Sequence, residues 1–397
     1  MALAFDSARW EALAAARTRG DVGDGVASVL ATLGRSDVIS FAGGFPDPET
    51  FPRERAATLL KEFAENGESI AFQYAPSRGV AGALDALAGR LERLQGTRPA
   101  ENELLITSGG MEALELIGKS FLDPGDVVAV EAPTYLGAIQ SFRSFEAAVE
   151  PVAFDESGLD VSDLEQRLAG GFRPKLLYTI PDHQNPAGVS LTTGRRAALV
   201  ELARHYGFLV IEDVAYRELS FDGESLPSLW SLGPDVVVQI GTTSKTLFPG
   251  LRLGWAAGPA AVVDLLVAAK QVTDQCAAAL GQRLFEESER RGLIDEQLIR
   301  SRALYESKCR RMLDALERSM PESVQWTTPH GGFFSWLTLP GVNGVELAAR
   351  AIDHGVAVVP GALFFPDDRG ADTLRLSFSM VDAERIDEGI EALGGIL

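Results

Sequence analysis

The 397-residue chain holds two cysteines, Cys276 and Cys309, and four histidines. Two cysteines cannot build a disulfide framework, and their spacing is not that of metal ligands, so both read as packing residues or inert thiols. The histidines argue as weakly for zinc, and no metal is expected. No apolar run approaches the roughly 20 residues of a membrane helix. The start, Met1-Ala-Leu-Ala-Phe-Asp6, lacks a basic region followed by an apolar core. Basic residues are in deficit, 36 against 56 acidic, and the formal charge of −20 repels nucleic acid and anionic membranes. Internal repeats, coiled-coil heptads and low-complexity tracts are missing as well. What these absences leave is a soluble, cytoplasmic protein with neither nucleic acid nor membrane as partner.

With 46% hydrophobic residues and a mean hydropathy of +0.05, the composition is that of a globular protein. The length exceeds one ordinary core. Strand-like apolar runs alternate with helical segments. Glu103–Thr107 precedes a helix over Met111–Phe121, and Val127–Val130 precedes another beginning near Tyr135. Lys175–Thr179 is followed by a helix after Thr192, then come Phe208–Ile211 and Val236–Ile240. This β-α alternation predicts an α/β fold with a mainly parallel sheet and right-handed crossovers. From about Gln297 the pattern changes: a long charged helix, Gly331–Leu337, a helix near Val345–Asp353, then Val356–Val359 and Leu374–Phe378. The expected division is an N-terminal segment 1–50 serving the small domain and closure of the site, a large domain 51–296, and a small α+β domain 297–397.

The most informative stretch is Gly241-Thr-Thr-Ser-Lys-Thr-Leu-Phe-Pro-Gly-Leu-Arg252. Val236–Ile240 ahead of it reads as a buried parallel strand, so Lys245 falls in the loop beyond a strand end, where α/β proteins place their ligands. If burial or a neighbouring cation lowers its pKa, the free amine can form a Schiff base with a carbonyl cofactor. Arg252 and the hydroxyls of Thr242 and Ser244 can then hold a phosphate. Taken alone, the same residues are more often a solvated loop.

Other residues give Lys245 company. Asn185, after a strand and held by Pro186 and Gly188, either donates to a cofactor oxygen or starts an Asn-Pro turn. Asp213 ends a buried strand; it caps a helix or pairs with a protonated heterocyclic nitrogen. Tyr216, three residues on, faces the same site if a helical turn begins there. Thr107–Leu114 joins a strand to a helix through Gly109 and Gly110, so backbone N–H groups can meet an anion, although such glycines are equally ordinary turn residues. Tyr135 either stacks on a planar ring or packs in the core.

Together, Ser40–Pro48, Gln73–Pro76, Thr107–Leu114, Glu131–Tyr135, Gln184–Gly188, Glu212–Tyr216, Ser244–Lys245 through Arg252, and Arg375 resemble, in this order and over nearly the whole chain, the fold-type I pyridoxal 5′-phosphate enzymes. The resemblance is to class I/II aminotransferases of the 2-aminoadipate and kynurenine type. It implies a seven-stranded sheet in the large domain and a homodimer. It implies that Lys245 carries the cofactor, that Asp213 pairs with the pyridinium nitrogen, and that Asn185 and Tyr216 contact the phenolic oxygen while Tyr135 stacks on the ring. Phosphate would be bound by Thr242, Ser244, Arg252 and the turn Gly109-Gly110-Met111, with Tyr74 reaching in from the partner subunit. Arg375 looks like the clamp for the substrate α-carboxylate, and Gly44 closes over the substrate.

The activity so implied is ping-pong amino transfer from an L-amino acid to a 2-oxo acid, 2-oxoglutarate being the expected acceptor. Gly110-Met111 stands where relatives commonly have Ser-Gln, which leaves only backbone donors there. Ala27 stands where some aminoadipate-specific relatives carry an arginine. The expected donor is therefore aromatic or bulky aliphatic, ahead of 2-aminoadipate. The same apparatus also serves β-elimination, racemisation and oxidase-like steps. A regulator with an aminotransferase-like domain would need an added basic DNA-binding module, which this acidic chain lacks.

Overall fold

The computed structural model describes residues 7–18, 37–66 and 69–397; Ala27 lies outside the described residues. Among these the strands in chain order are β1 (Ile39–Ser40), β2 (Leu104–Thr107), β3 (Val127–Glu131), β4 (Ala148–Val152), β5 (Phe154–Asp155), β6 (Gly158–Leu159), β7 (Leu176–Thr179), β8 (Leu209–Asp213), β9 (Val237–Thr242), β10 (Gly254–Ala257), β11 (Gln325–Trp326), β12 (Phe334–Thr338), β13 (Val356–Ala357), β14 (Val359–Pro360) and β15 (Thr373–Ser377).

Seven of them form one sheet in the order β2-β10-β9-β8-β7-β3-β4. β3, β4, β7, β8 and β9 pair in parallel, while β10 is antiparallel to both β2 and β9, so β2 runs in the common direction. The expected mainly parallel, seven-stranded sheet is present. Continuous apolar runs such as Leu104–Thr107 and Leu176–Thr179 are buried at every position, because helices cover both faces of a parallel sheet. Parallel strands need crossovers, and the helices supply them. The helix Gly110–Phe121 turns Ala113, Leu114, Leu116 and Ile117 inward, with Glu112 in its first turn and Lys119 in its last, complementing its dipole. The helix Thr193–Tyr206 stops at Gly207, whose φ of 75° suits a residue without Cβ.

The C-terminal part is built differently. β11, β12, β15 and β14 form an antiparallel sheet, in that order. The long helix begins at Leu293, earlier than the charge pattern indicates, and runs to Ser319. Val356–Val359, expected as one strand, is two: β13 pairs with β1 and β14 pairs with β15. That split lets residues ahead of Phe51 join the C-terminal unit: Phe41 N–H donates to Ala357 O and Phe41 O accepts from Ser377 N–H, both at 2.8 Å. An apolar cluster of Val38, Ala42, Leu136, Ala187, Trp336, Ala357, Val359 and Phe364 joins this unit to the loops beyond β3 and β7. Among the described residues no helix is long and apolar enough to cross a membrane.

Candidate active site

Because the sheet runs largely one way, its strands deliver their following loops to one edge. There a cavity of about 270 Å³ is lined by Gly44, Gly110, Met111, Tyr135, Asn185, Asp213, Tyr216, Thr242, Ser244, Lys245, Arg252 and Arg375, with apolar neighbours. Gly109, adjacent in the chain to Gly110, is not among the lining residues. Tyr74 lies elsewhere, 77% exposed on the surface of the single chain.

Lys245 follows β9, and its Nζ donates to the carbonyl of Gly44 at 2.7 Å. The rings of Phe45, Tyr216 and Phe333 surround that nitrogen, with centroids within about 6.0 Å. Burial, helped by repulsion from Arg375 and Arg252, lowers the ammonium from 10.5 to about 8, against the opposing pull of Asp213. Its free-base form is therefore accessible near neutrality. Asp213 closes β8; Tyr178 OH donates to its Oδ2 at 2.8 Å and Ala215 N–H to its Oδ1 at 3.1 Å. Burial raises this carboxyl to about 6. A cation opposite it would recover the lost solvation.

The anion corner is built from two turns. Ser244 N–H donates to Thr242 Oγ1 at 3.1 Å, which brings the two hydroxyls to 2.9 Å from each other. Arg252, held at φ 48° after the turn Pro249–Leu251, donates to Ser108 O at 3.3 Å. Gly109 adopts φ 97°, a conformation that calls for glycine, and a Cβ there would lie 2.7 Å from Arg252 Nη2 and displace that side chain. Gly110 and Met111 open their helix, whose first N–H groups have no intrahelical acceptor.

On the opposite wall Arg375 of β15 donates through Nη1 to Asn185 Oδ1 at 3.0 Å and through Nη2 to Ala42 O at 2.5 Å. Its guanidinium lies between the rings of Phe334 and Phe364, at 4.4 and 4.8 Å. Two aromatic faces fix the fork without neutralising it. Burial pushes the guanidinium down to about 10, and its buried Nε has no partner among the described residues. Tyr216 packs edge-on against Phe333 and Phe334, and Tyr135 OH is 3.6 Å from Met111 Sδ.

Among the described residues, Lys245, Arg252 and Arg375 face a single lining carboxylate, Asp213. That excess of positive charge, the amine-bearing strand end and the orphaned Nε suit a phosphorylated carbonyl cofactor together with a carboxylate substrate. Motif reading did not single out Tyr178, which orients Asp213, or Phe45 and Phe364, which line the cavity. Apolar loop residues carry no periodic signal, and a tyrosine inside a buried strand looks like core.

These features define an enzyme of the fold-type I pyridoxal phosphate class. The chain belongs to the aminotransferase class I and II family, whose model matches residues 36–393. It is 38% identical to aromatic-amino-acid aminotransferase 1 of Thermococcus litoralis over 93% of this chain and 90% of that one. The solved kynurenine aminotransferase of Pyrococcus horikoshii, in complex with PMP, superposes with a TM-score of 0.90 at 38% identity, covering 98% of this chain and 96% of its own. The alpha-aminoadipate aminotransferase of Thermus thermophilus, complexed with N-(5′-phosphopyridoxyl)-L-leucine, gives 0.89 at 38% identity and 97% coverage of both chains. The protein is an aminotransferase, and its cofactor is pyridoxal 5′-phosphate.

Proposed function

We propose that the enzyme moves the amino group of an aromatic or bulky aliphatic L-amino acid to 2-oxoglutarate. The observation that carries this reading is the buried Lys245 amine between Asp213 and the unneutralised Arg375. Bound pyridoxal phosphate supplies the electron sink that acidifies the substrate Cα. The chain's residues do the rest. Asp213, oriented by Tyr178 and the Ala215 N–H, carries the negative charge that holds the ring nitrogen protonated. Asn185 and Tyr216 would contact the phenolic oxygen, and Tyr135 would cover the ring. Thr242, Ser244, Arg252 and the Gly109-Gly110-Met111 backbone would hold the phosphate.

Arg375 binds the α-carboxylate bidentately and so fixes the Cα–H direction. Lys245, as the free amine, would take the Cα proton and return it by a 1,3 shift to the carbon on the far side of the amino nitrogen. Gly44 and Phe45 shut water out above it. The remaining lining, Met111, Leu114, Leu136, Pro249 and Phe364 among it, is largely apolar, and the charged residues of the described lining are Asp213, Lys245, Arg252 and Arg375. An apolar or aromatic side chain fits that wall, and the name of the Thermococcus litoralis relative points the same way.

Two further parts belong to this reading. A second copy of the chain contributes Tyr74 to the phosphate; Tyr74, Phe72 and Ile70 are exposed together on the single chain, an apolar edge that a partner would cover. Residues 37–50, paired through β1 to β13, move with unit 297–397 to close the site against unit 51–296. The setting proposed for this chemistry is the cytoplasm.

The test is a donor screen on the purified, cofactor-loaded protein, following conversion of the visible absorbance to that of pyridoxamine phosphate and identifying each 2-oxo acid. Aromatic and branched L-amino acids are expected to convert fastest. Donor consumption without pyridoxamine phosphate would defeat the transfer assignment. So would a Lys245→Ala variant that keeps wild-type turnover.

A further inference from the structure

The phosphate turn is tied from behind, at Ser108. Its N–H donates to Glu112 Oε2 at 2.5 Å, its Oγ to Asp274 Oδ2 at 2.8 Å, and its carbonyl accepts from Arg252 Nη2 at 3.3 Å. Gly109 O accepts from Thr107 Oγ1 at 3.0 Å. The carbonyls of Ser108 and Gly109 are thus engaged within the protein. The next two residues, Gly110 and Met111, face the cavity at the helix N-terminus with no side-chain N–H or O–H to offer. Grip on an anion at this corner therefore depends on where the backbone N–H groups stand.

The two carboxylates that hold Ser108 meet on one ammonium. Lys270 Nζ lies 2.7 Å from both oxygens of Glu112 and 2.8 Å from both of Asp274. The Lys270 side chain is 0% exposed and is not part of the cavity lining. A lysine so enclosed persists only where it is fully paired. Without it, nothing bridges Glu112 and Asp274 beneath Ser108, and both ties on that residue loosen. Arg252 would shift too, because its Nη2 donates to the Ser108 carbonyl.

We propose that Lys270 is a positioning residue for the cofactor's phosphate: by holding Glu112 and Asp274 together it fixes Ser108, and through Ser108 the Gly109-Gly110-Met111 backbone. The proposal rests on the pyridoxal phosphate assignment. Charge-assisted hydrogen bonds are short and directional, so a small displacement of this backbone weakens all of them together.

Full-length protein stripped of cofactor is titrated with pyridoxal phosphate and, separately, with pyridoxal, which lacks the phosphate. Wild type, Lys270→Met and Ser108→Ala are compared. Losing well-aimed bonds to a charged group should raise the pyridoxal phosphate Kd of Lys270→Met by roughly tenfold or more, with Ser108→Ala moving the same way by less. Pyridoxal affinity should stay at its wild-type value, so the preference for the phosphorylated form shrinks. Equal weakening of both ligands marks a merely structural role and overturns the proposal, as does an unchanged preference. If Lys270→Met does not fold, the ratio in Ser108→Ala decides by the same criterion. A wild type that binds both ligands alike overturns the phosphate assignment itself, a result distinct from failure of the brace.

Discussion

Lys245 Nζ donates to the carbonyl oxygen of Gly44 at 2.7 Å, a bond between residues 201 positions apart. It joins the strand-end lysine of the central sheet to a segment that pairs with the C-terminal unit. Around this bond the cation excess of the cavity and its closing segment come together, and the expected effects of change follow from it.

The pH dependence has a definite sign. Burial lowers Lys245 from 10.5 to about 8, so the amine is charged below that pH and free above it. A proton acceptor must be neutral, and the donor half-reaction should therefore slow as pH falls through about 8 wherever Lys245 acts as the free amine. Single-turnover rates against pH measure this. An acid limb at the ordinary lysine value would show that the cavity does not perturb the amine.

Arg375 should govern substrate affinity more than cofactor affinity. Arg375→Ala leaves the substrate carboxylate opposite two phenyl faces, and truncating one partner of a buried charge pair costs about 2–5 kcal/mol. kcat/KM should fall correspondingly, while the pyridoxal phosphate Kd stays near wild type. Arg375→Lys should recover only part, since an ammonium cannot reproduce the planar fork. Steady-state kinetics beside a cofactor titration separates the two.

Gly109 tests the anion corner from its other side. Gly109→Ala places a Cβ 2.7 Å from Arg252 Nη2 on a backbone at φ 97°. Strain of about 1–3 kcal/mol is expected. Displacement of Arg252 should weaken pyridoxal phosphate binding, read by equilibrium dialysis. Retention of wild-type affinity would remove Arg252 from the phosphate site.

The segment over the cavity is anchored at its far end by a buried ion pair between Asp47 and Lys308, with Asp47 N–H also donating to Tyr305 OH at 3.0 Å and Ser379 Oγ to Phe45 O at 2.6 Å. Lys308→Met leaves a buried carboxylate uncompensated and should cost about 3–5 kcal/mol. Asp47→Leu combined with Lys308→Met should restore much of the lost thermal midpoint. A double variant no more stable than Lys308→Met would show that the pair is not the source of the loss.

The sequence by itself determined the β-α alternation, because buried parallel strands must be continuously apolar and must be joined by helices; Leu104–Thr107, Leu176–Thr179 and Leu209–Asp213 lie where their hydrophobic runs put them. It also determined which residues gather at the strand ends, since Asp213 closes a run of that kind and Asn185 and Lys245 lie in the loops that follow one, whereas Arg252 is brought there by the turn Pro249–Leu251. Other features depend on partners remote in the chain, and only the tertiary structure decided them. β10 slips in antiparallel between β2 and β9, and its Gly254-Trp-Ala-Ala257, with one glycine, two alanines and no β-branched residue, carries little strand signal. Val356–Val359 divides because β1 and β15 compete for its backbone groups. The aromatic faces around Arg375, the Tyr178 bond to Asp213 and the Lys270 brace join residues from separate elements. Local pattern records a residue's burial and its neighbours along the chain; which charge it meets across the fold is settled when the layers pack.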